Sequence, residues 1–159
     1  MAIAMLVAAV RMSATVVVPA DLPTAVAESN LIVHGRVVDV RSAVTAPPRG
    51  IETFVTVAVV DALKGNPGRS VTFRVPHGQV GRYRRVVVGA PEFVEGDEVV
   101  VFLQGSPAAI PVLFGLSQGF YRVAREAGEP VILRGRAERR PLPLVVFVRE
   151  VEALVETRR

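Results

Sequence analysis

Four carboxylates, Glu92, Glu95, Asp97 and Glu98, fall within seven positions of the stretch "GAPEFVEGDEVVVFL" (89–103). Clustered acids can hold a divalent cation or work as a general acid–base pair. A calcium loop needs alternating oxygen ligands, a glycine at the sharp turn and a bidentate Glu at the far end. This stretch lacks that spacing, and neither histidine lies near it in sequence. Glu95-Gly96-Asp97 sits between two apolar runs, which is the composition of a solvated tight turn. A turn that starts a strand is therefore expected, with no metal ligand or catalytic residue assigned to it.

The two histidines, His34 and His77, are far apart in the chain. Two imidazoles and a carboxylate can bind zinc, but their spacing follows no ligand pattern. Ser117 lies in "GLSQG" (115–119), which matches the G-x-S-x-G form. That motif works on a strand-to-helix elbow with an acid and a His following in the chain. The residues after Gly119 read as strand, and no histidine follows Ser117. No catalytic residue and no cofactor are expected.

"GRYRRVVV" (81–88) is the densest basic cluster that holds an aromatic. Read as a strand, it sends Arg82 and Arg84 to one face and Tyr83 and Arg85 to the other. The bland reading is a solvated edge strand. The functional reading makes Arg82, Tyr83, Arg84 and Arg85 a surface for a protein or polysaccharide partner. Basic and aromatic residues on a barrel can also take single-stranded nucleic acid. The net charge of +4, with acids and bases interspersed, argues against that, and no nucleic acid is expected. The basic run "RGRAERR" (134–140) reads as a solvated connection.

The elements that must carry these residues are mostly strands. Half of the 159 residues are hydrophobic, valine dominates, and 13 Gly and 12 Pro supply turns. β-Branched side chains suit a pleated, half-buried surface. "LIVHGRVVDVRSAV" (31–44) reads as a long strand with a bend at Gly35. In "IETFVTVAVVDALKG" (51–65), Thr53, Val55, Val57 and Val59 share one side. "KGNPG" (64–68) is turn chemistry, and "RSVTFRVP" (69–76) completes a hairpin. Residues 77–81 read as a loop, 82–88 as a short strand, and 98–104 as a strand. Residues 105–111 form a loop, 112–124 read as two strand pieces, and 129–135 as the last strand.

Helices are expected at the ends of this β region. Asp21 and Pro23 begin a short one in 21–30. In the tail, Leu144, Phe147, Val148, Val151, Leu154 and Val155 recur at helical spacing, which predicts a helix over 144–157.

Residues 2–10 and 14–18 are apolar runs too short to span a bilayer, and "VPA" (18–20) places small residues before a cut after Ala20. Residues 1–20 read as a signal peptide with an atypical start, since no Lys or Arg precedes the first run. The alternative is a buried first strand. The expected compartment is the periplasm or the extracellular space, with no membrane span in the mature chain. The lack of cysteine excludes disulfides and thiol chemistry.

"ESNLIVHGRVVDV", "ETFVTVAVVDALKG", "VPHG", "GAPEFVEGDEVVVFL" and "GLSQGFYRV" follow one another over residues 21–134. In this order they resemble an uncharacterised family of exported bacterial proteins. His77 stands where that pattern has the first Gly of "P-G-G", and Asp97 where it has Glu. More distantly, the order is similar to the netrin and tissue-inhibitor-of-metalloproteinase module. That resemblance implies an OB-fold barrel with a closing helix. Those inhibitors use an N-terminal cysteine, which this chain lacks, so their mechanism is not implied.

The expectation is a mainly β chain: one OB-like Greek-key β-barrel over 21–159 with a short N-terminal and a longer C-terminal helix. Its expected role is to bind a protein partner through loops 45–50, 77–81 and 105–111 or through the basic strand. A metal-dependent or hydrolytic enzyme would instead gather His34 or His77 with Glu92 or Asp97. An oligosaccharide- or nucleic-acid-binding barrel would need Tyr83, Phe93, Phe120 or Tyr121 exposed on one groove.

Overall fold

The computed structural model describes residues 20–47, 50–106, 108–133 and 141–157. Apart from Ala20 the expected signal peptide lies outside the described residues, as does the basic run 134–140.

Two long strands dominate. β1 (Leu31–Thr45) and β2 (Gly50–Lys64) pair antiparallel along their whole length. β3 (Ser70–Val75) continues from β2 across the Asn66-Pro67-Gly68 turn. β6 (Glu98–Gln104) lies against the other edge of β1, and β7 (Val112–Leu113) joins β6 antiparallel and β3 parallel. The order β1-β2-β3-β7-β6, with β6 back on β1, closes a five-stranded barrel. Closure removes the open edges that a flat sheet would leave.

Period-two alternation fills this barrel. Val55 and Val57 of β2, Val71, Phe73 and Val75 of β3, and Val99, Val101 and Leu103 of β6 form one buried cluster. The alternate β6 residues, Val100 and Phe102, point outward into a second cluster. That cluster is roofed by α1 (Leu22–Glu28) and α2 (Leu144–Glu156). Asp21 caps α1 by accepting from the Thr24 N–H at 2.9 Å. α2 buries Leu144, Phe147, Val151 and Val155, the stripe that the helical spacing predicts.

Gly35 marks the bend in β1. A Cβ there would stand 2.3 Å from the Ala58 carbonyl oxygen and 2.6 Å from Val57 Cγ1. The β1–β2 register shifts beside it, between His34 and Gly35. Only glycine lets the two backbones approach this closely.

Two stretches differ from the sequence expectation, and a third has its two expected strand pieces joined by a 3-10 turn. Residues 77–81 are not simply a loop: β4 (Gly78–Val80) and β5 (Tyr83–Arg85) make a separate antiparallel hairpin. The strand expected over 82–88 is therefore three residues long. Arg82 sits with Gly81 in the two-residue turn rather than on a strand face, so Arg82 and Arg84 do not share one. Residues 112–124 hold β7, a 3-10 turn (Leu116–Gly119) and β8 (Phe120–Glu126). β8, β9 (Glu129–Leu133) and β10 (Leu142–Pro143) extend the sheet from β6 beyond the barrel.

Candidate functional site at the hairpin mouth

The barrel has two mouths. One lies where β1 begins and β2 ends; its cavity is lined by Asn30, Leu31, Gly65, Asn66, Gln104 and Gly105 among others. The other lies where β3 ends, and there the β4–β5 hairpin and the loop 86–94 stand over β1 and β2.

A directed chain of hydrogen bonds holds the hairpin in place. Thr53 Oγ1 donates to the His77 carbonyl at 2.7 Å, which uses its one hydrogen. Ser42 Oγ, 3.0 Å away, must then donate to Thr53 Oγ1 and is left to accept the Gln79 N–H at 3.3 Å. Gly78 lies directly over the two hydroxyls: a Cβ would fall 2.5 Å from Ser42 Oγ and 2.7 Å from Thr53 Oγ1. Arg85 adds a bond from Nη1 to the Ile51 carbonyl at 3.3 Å. His77 Nε2 lies 2.8 Å from the Pro91 carbonyl, an acceptor only, so this nitrogen carries the proton and ties hairpin to loop.

Between hairpin, loop and strands lies a cavity of about 470 Å³. Val40, Val87, Ala90 and Phe93 give it apolar walls, and Ser42, Thr53, His77, Arg84, Arg85 and Glu92 give it polar ones. Arg84 is exposed, and its guanidinium has no partner among the described residues. Around the rim, Val88 is 93% exposed and Tyr83 63%, with Val86 and Val94 also exposed. Arg82 lies over the Tyr83 ring, 5.2 Å from its centroid, and donates to its hydroxyl at 3.1 Å.

The acidic stretch is a turn, and arginines bind it to the barrel. Asp97 Oδ2 is 3.0 Å from Arg122 Nη2, which also donates to the Glu92 carbonyl. Arg36 donates to the Gly96 carbonyl at 2.8 Å and lies 3.7 Å from Glu98. The Gly96 N–H and Asp97 carbonyl both bond Val37 of β1. The side chains diverge, and no group of three metal-ligating residues occurs among the described residues.

His34 belongs elsewhere. It is buried, with Nδ1 3.3 Å from Asp61 Oδ2 and Nε2 2.9 Å from Glu98 Oε1. Eight residues of β1, roughly 26 Å of strand, separate it from Ser42 below the hairpin. His77 and Glu92 line one cavity; His34 and Asp97 do not join them. Ser117 is exposed in the 3-10 turn, where its N–H bonds the Gly89 carbonyl.

The four aromatics expected to line one groove are separated. Phe93 is buried in the barrel against Phe73 and Phe120, at 5.3 and 4.7 Å between centroids. Tyr121 points to the helix side, 4.8 Å from Phe147. Tyr83 alone of the four is exposed.

Val86, Val88, Val94 and Glu92 lie beside Arg82–Arg85, a grouping that the sequence reading did not make. The signal was the Gly89 and Pro91 that follow the valines: they break a strand, and valines in an irregular loop need not be buried. No protein-family model matches the chain, and comparison with curated proteins finds no significant similarity.

Proposed function

We propose that this chain is an exported, non-enzymatic binding module that takes a protein partner at the cell envelope or outside the cell. Its binding surface is the hairpin mouth, with Arg82, Tyr83, Arg84 and Arg85 at its centre. The observation that carries this reading is the contrast within that lobe. Its backbone is pinned through Thr53, Ser42 and His77, while Arg84, Tyr83, Val86, Val88 and Val94 are left to solvent. Rigid presentation of exposed aromatic, apolar and arginine side chains suits a protein interface. The apolar N-terminal runs and the "VPA" stretch support export. The barrel is read as OB-type on its strand order and the parallel pairing of β3 with β7.

An enzyme is less well supported. His77 and Glu92 share the cavity, but His77 Nε2 is committed to the Pro91 carbonyl, and no nucleophile is activated beside it. A saccharide or nucleic-acid groove would need several exposed aromatics in a row, and of Tyr83, Phe93, Phe120 and Tyr121 only Tyr83 is exposed.

The test is affinity capture with the full chain from cell-envelope and culture-fluid fractions of the native organism, beside an Arg82/Arg84→Ala variant. One exported protein retained by the native chain and lost by the variant is the expected result. Capture indifferent to the variant, or no capture from either fraction, would overturn the assignment. Fractionation with N-terminal sequencing checks export: the mature chain should begin at Asp21 outside the cytoplasm.

A further inference from the structure

Resting on the protein-binding reading above, we infer that the hairpin mouth takes an extended peptide segment that adds to β5 as a further strand and places one carboxylate on Arg84. Three observations converge on this ligand. The first is an open edge. β5 pairs with β4 alone among the described residues. Val80 opposite Tyr83 closes a two-residue turn, so this is a bonded pair and Gln79 opposite Arg84 is a non-bonded one. The N–H and C=O of Arg84 therefore face away from β4, where an added strand would meet them.

The second is charge. Arg84 is a planar, permanently charged donor at the cavity wall, suited to a bidentate carboxylate. Glu92 lines the same cavity and repels a second acid. The complement is one acidic position flanked by uncharged residues, not a polyanion. The third is the apolar lining beside that edge. Val40, Val87 and Ala90 offer a site for an alternate side chain of the same strand, since residues two apart share a face. A lone small carboxylate would use Arg84 but neither the edge nor the valines.

The experiment selects a phage-displayed random dodecapeptide library on the full chain and measures resynthesised peptides by fluorescence anisotropy. Arg84→Glu is compared with the native chain and with Arg125→Glu, an exposed arginine of β8 that does not line the cavity. Enriched peptides should share one Asp or Glu with an apolar residue two positions away. Arg84→Glu should weaken them by about tenfold to a hundredfold, the scale of a charged hydrogen-bonded contact, and Arg125→Glu should leave them unchanged. N-methylation at a single peptide position should cause a comparable loss by removing an edge bond. Melting temperatures should match across the three proteins.

Peptides without a shared acid, binding indifferent to Arg84→Glu, or equal affinity for N-acetylglutamate alone would each overturn the inference. So would an empty selection. If an empty selection accompanies a folded partner captured by the native chain and lost by Arg82/Arg84→Ala, the extended peptide is wrong and the protein-binding surface stands. If both experiments are negative, both readings fall.

Discussion

The two mouths of the barrel enclose cavities of nearly equal volume, about 480 and 470 Å³, and use their polar groups in opposite ways. At the mouth where β1 begins, polar groups serve the fold. Lys64 Nζ donates to the Val26 carbonyl at 2.6 Å and Gln104 Nε2 to the Glu28 carbonyl at 3.2 Å, holding the end of α1. The Asn30 N–H bonds the Leu103 carbonyl, and its Oδ1 accepts from the Gly105 N–H. No ionisable side chain lines that cavity among the described residues. At the hairpin mouth, the Ser42 and Thr53 hydroxyls, the His77 ring and the Arg85 guanidinium do the fastening, and Arg84 is left over. The two cavities differ in their charge rather than their size.

Substitutions at each mouth and in the shared barrel test this contrast. The largest effect should come from the barrel that both mouths share. Gly35→Ala forces a Cβ into the Ala58 carbonyl and should cost about 3 kcal/mol, the upper range for overpacking a core. Chemical denaturation should show both mouths weakened together.

Thr53→Val should come next, at about 2 kcal/mol, because it removes a buried hydroxyl that both donates and accepts. Hydrogen exchange should quicken at Gly78–Arg85 and stay unchanged at Gln104 and Gly105. Asn30→Ala is the mirror experiment at the other mouth. It should cost about 1 kcal/mol, speed exchange at Gly105 and leave partner capture intact. Arg84→Ala should alter stability least, within about 0.5 kcal/mol, as expected for an exposed side chain with no polar partner among the described residues. It should nonetheless abolish partner capture. A variant that unfolds the protein would show that Arg84 is structural and erase the distinction between the mouths.

The parts of the fold legible in the sequence are those with a local period. β2 and β3 alternate cleanly because one face fills the barrel. α2 shows its stripe because a surface helix buries one side. α1 is announced by Asp21 and Pro23. The hairpin mouth was harder to see. β4 is three residues beginning with glycine, too short to show alternation, and its anchors, Ser42 and Thr53, lie more than 20 residues upstream. The β3–β7 closure rests on one registered pair, Arg74 with Val112, a non-local contact that no local pattern records. Residues 92–98 were readable as a turn from Gly96. That Arg36 and Arg122 hold the turn became visible only once β1 and β8 flanked β6.

We propose that partners engage the hairpin mouth and not the other. Site-specific photocrosslinking in the native organism tests it most directly, with a benzophenone amino acid replacing Val88 at one mouth or Ala109 at the other, both exposed. A discrete protein adduct is expected from position 88, lost when Arg84→Glu is added, and none from position 109. An adduct from position 109 alone, or one from position 88 that persists with Arg84→Glu, would contradict it.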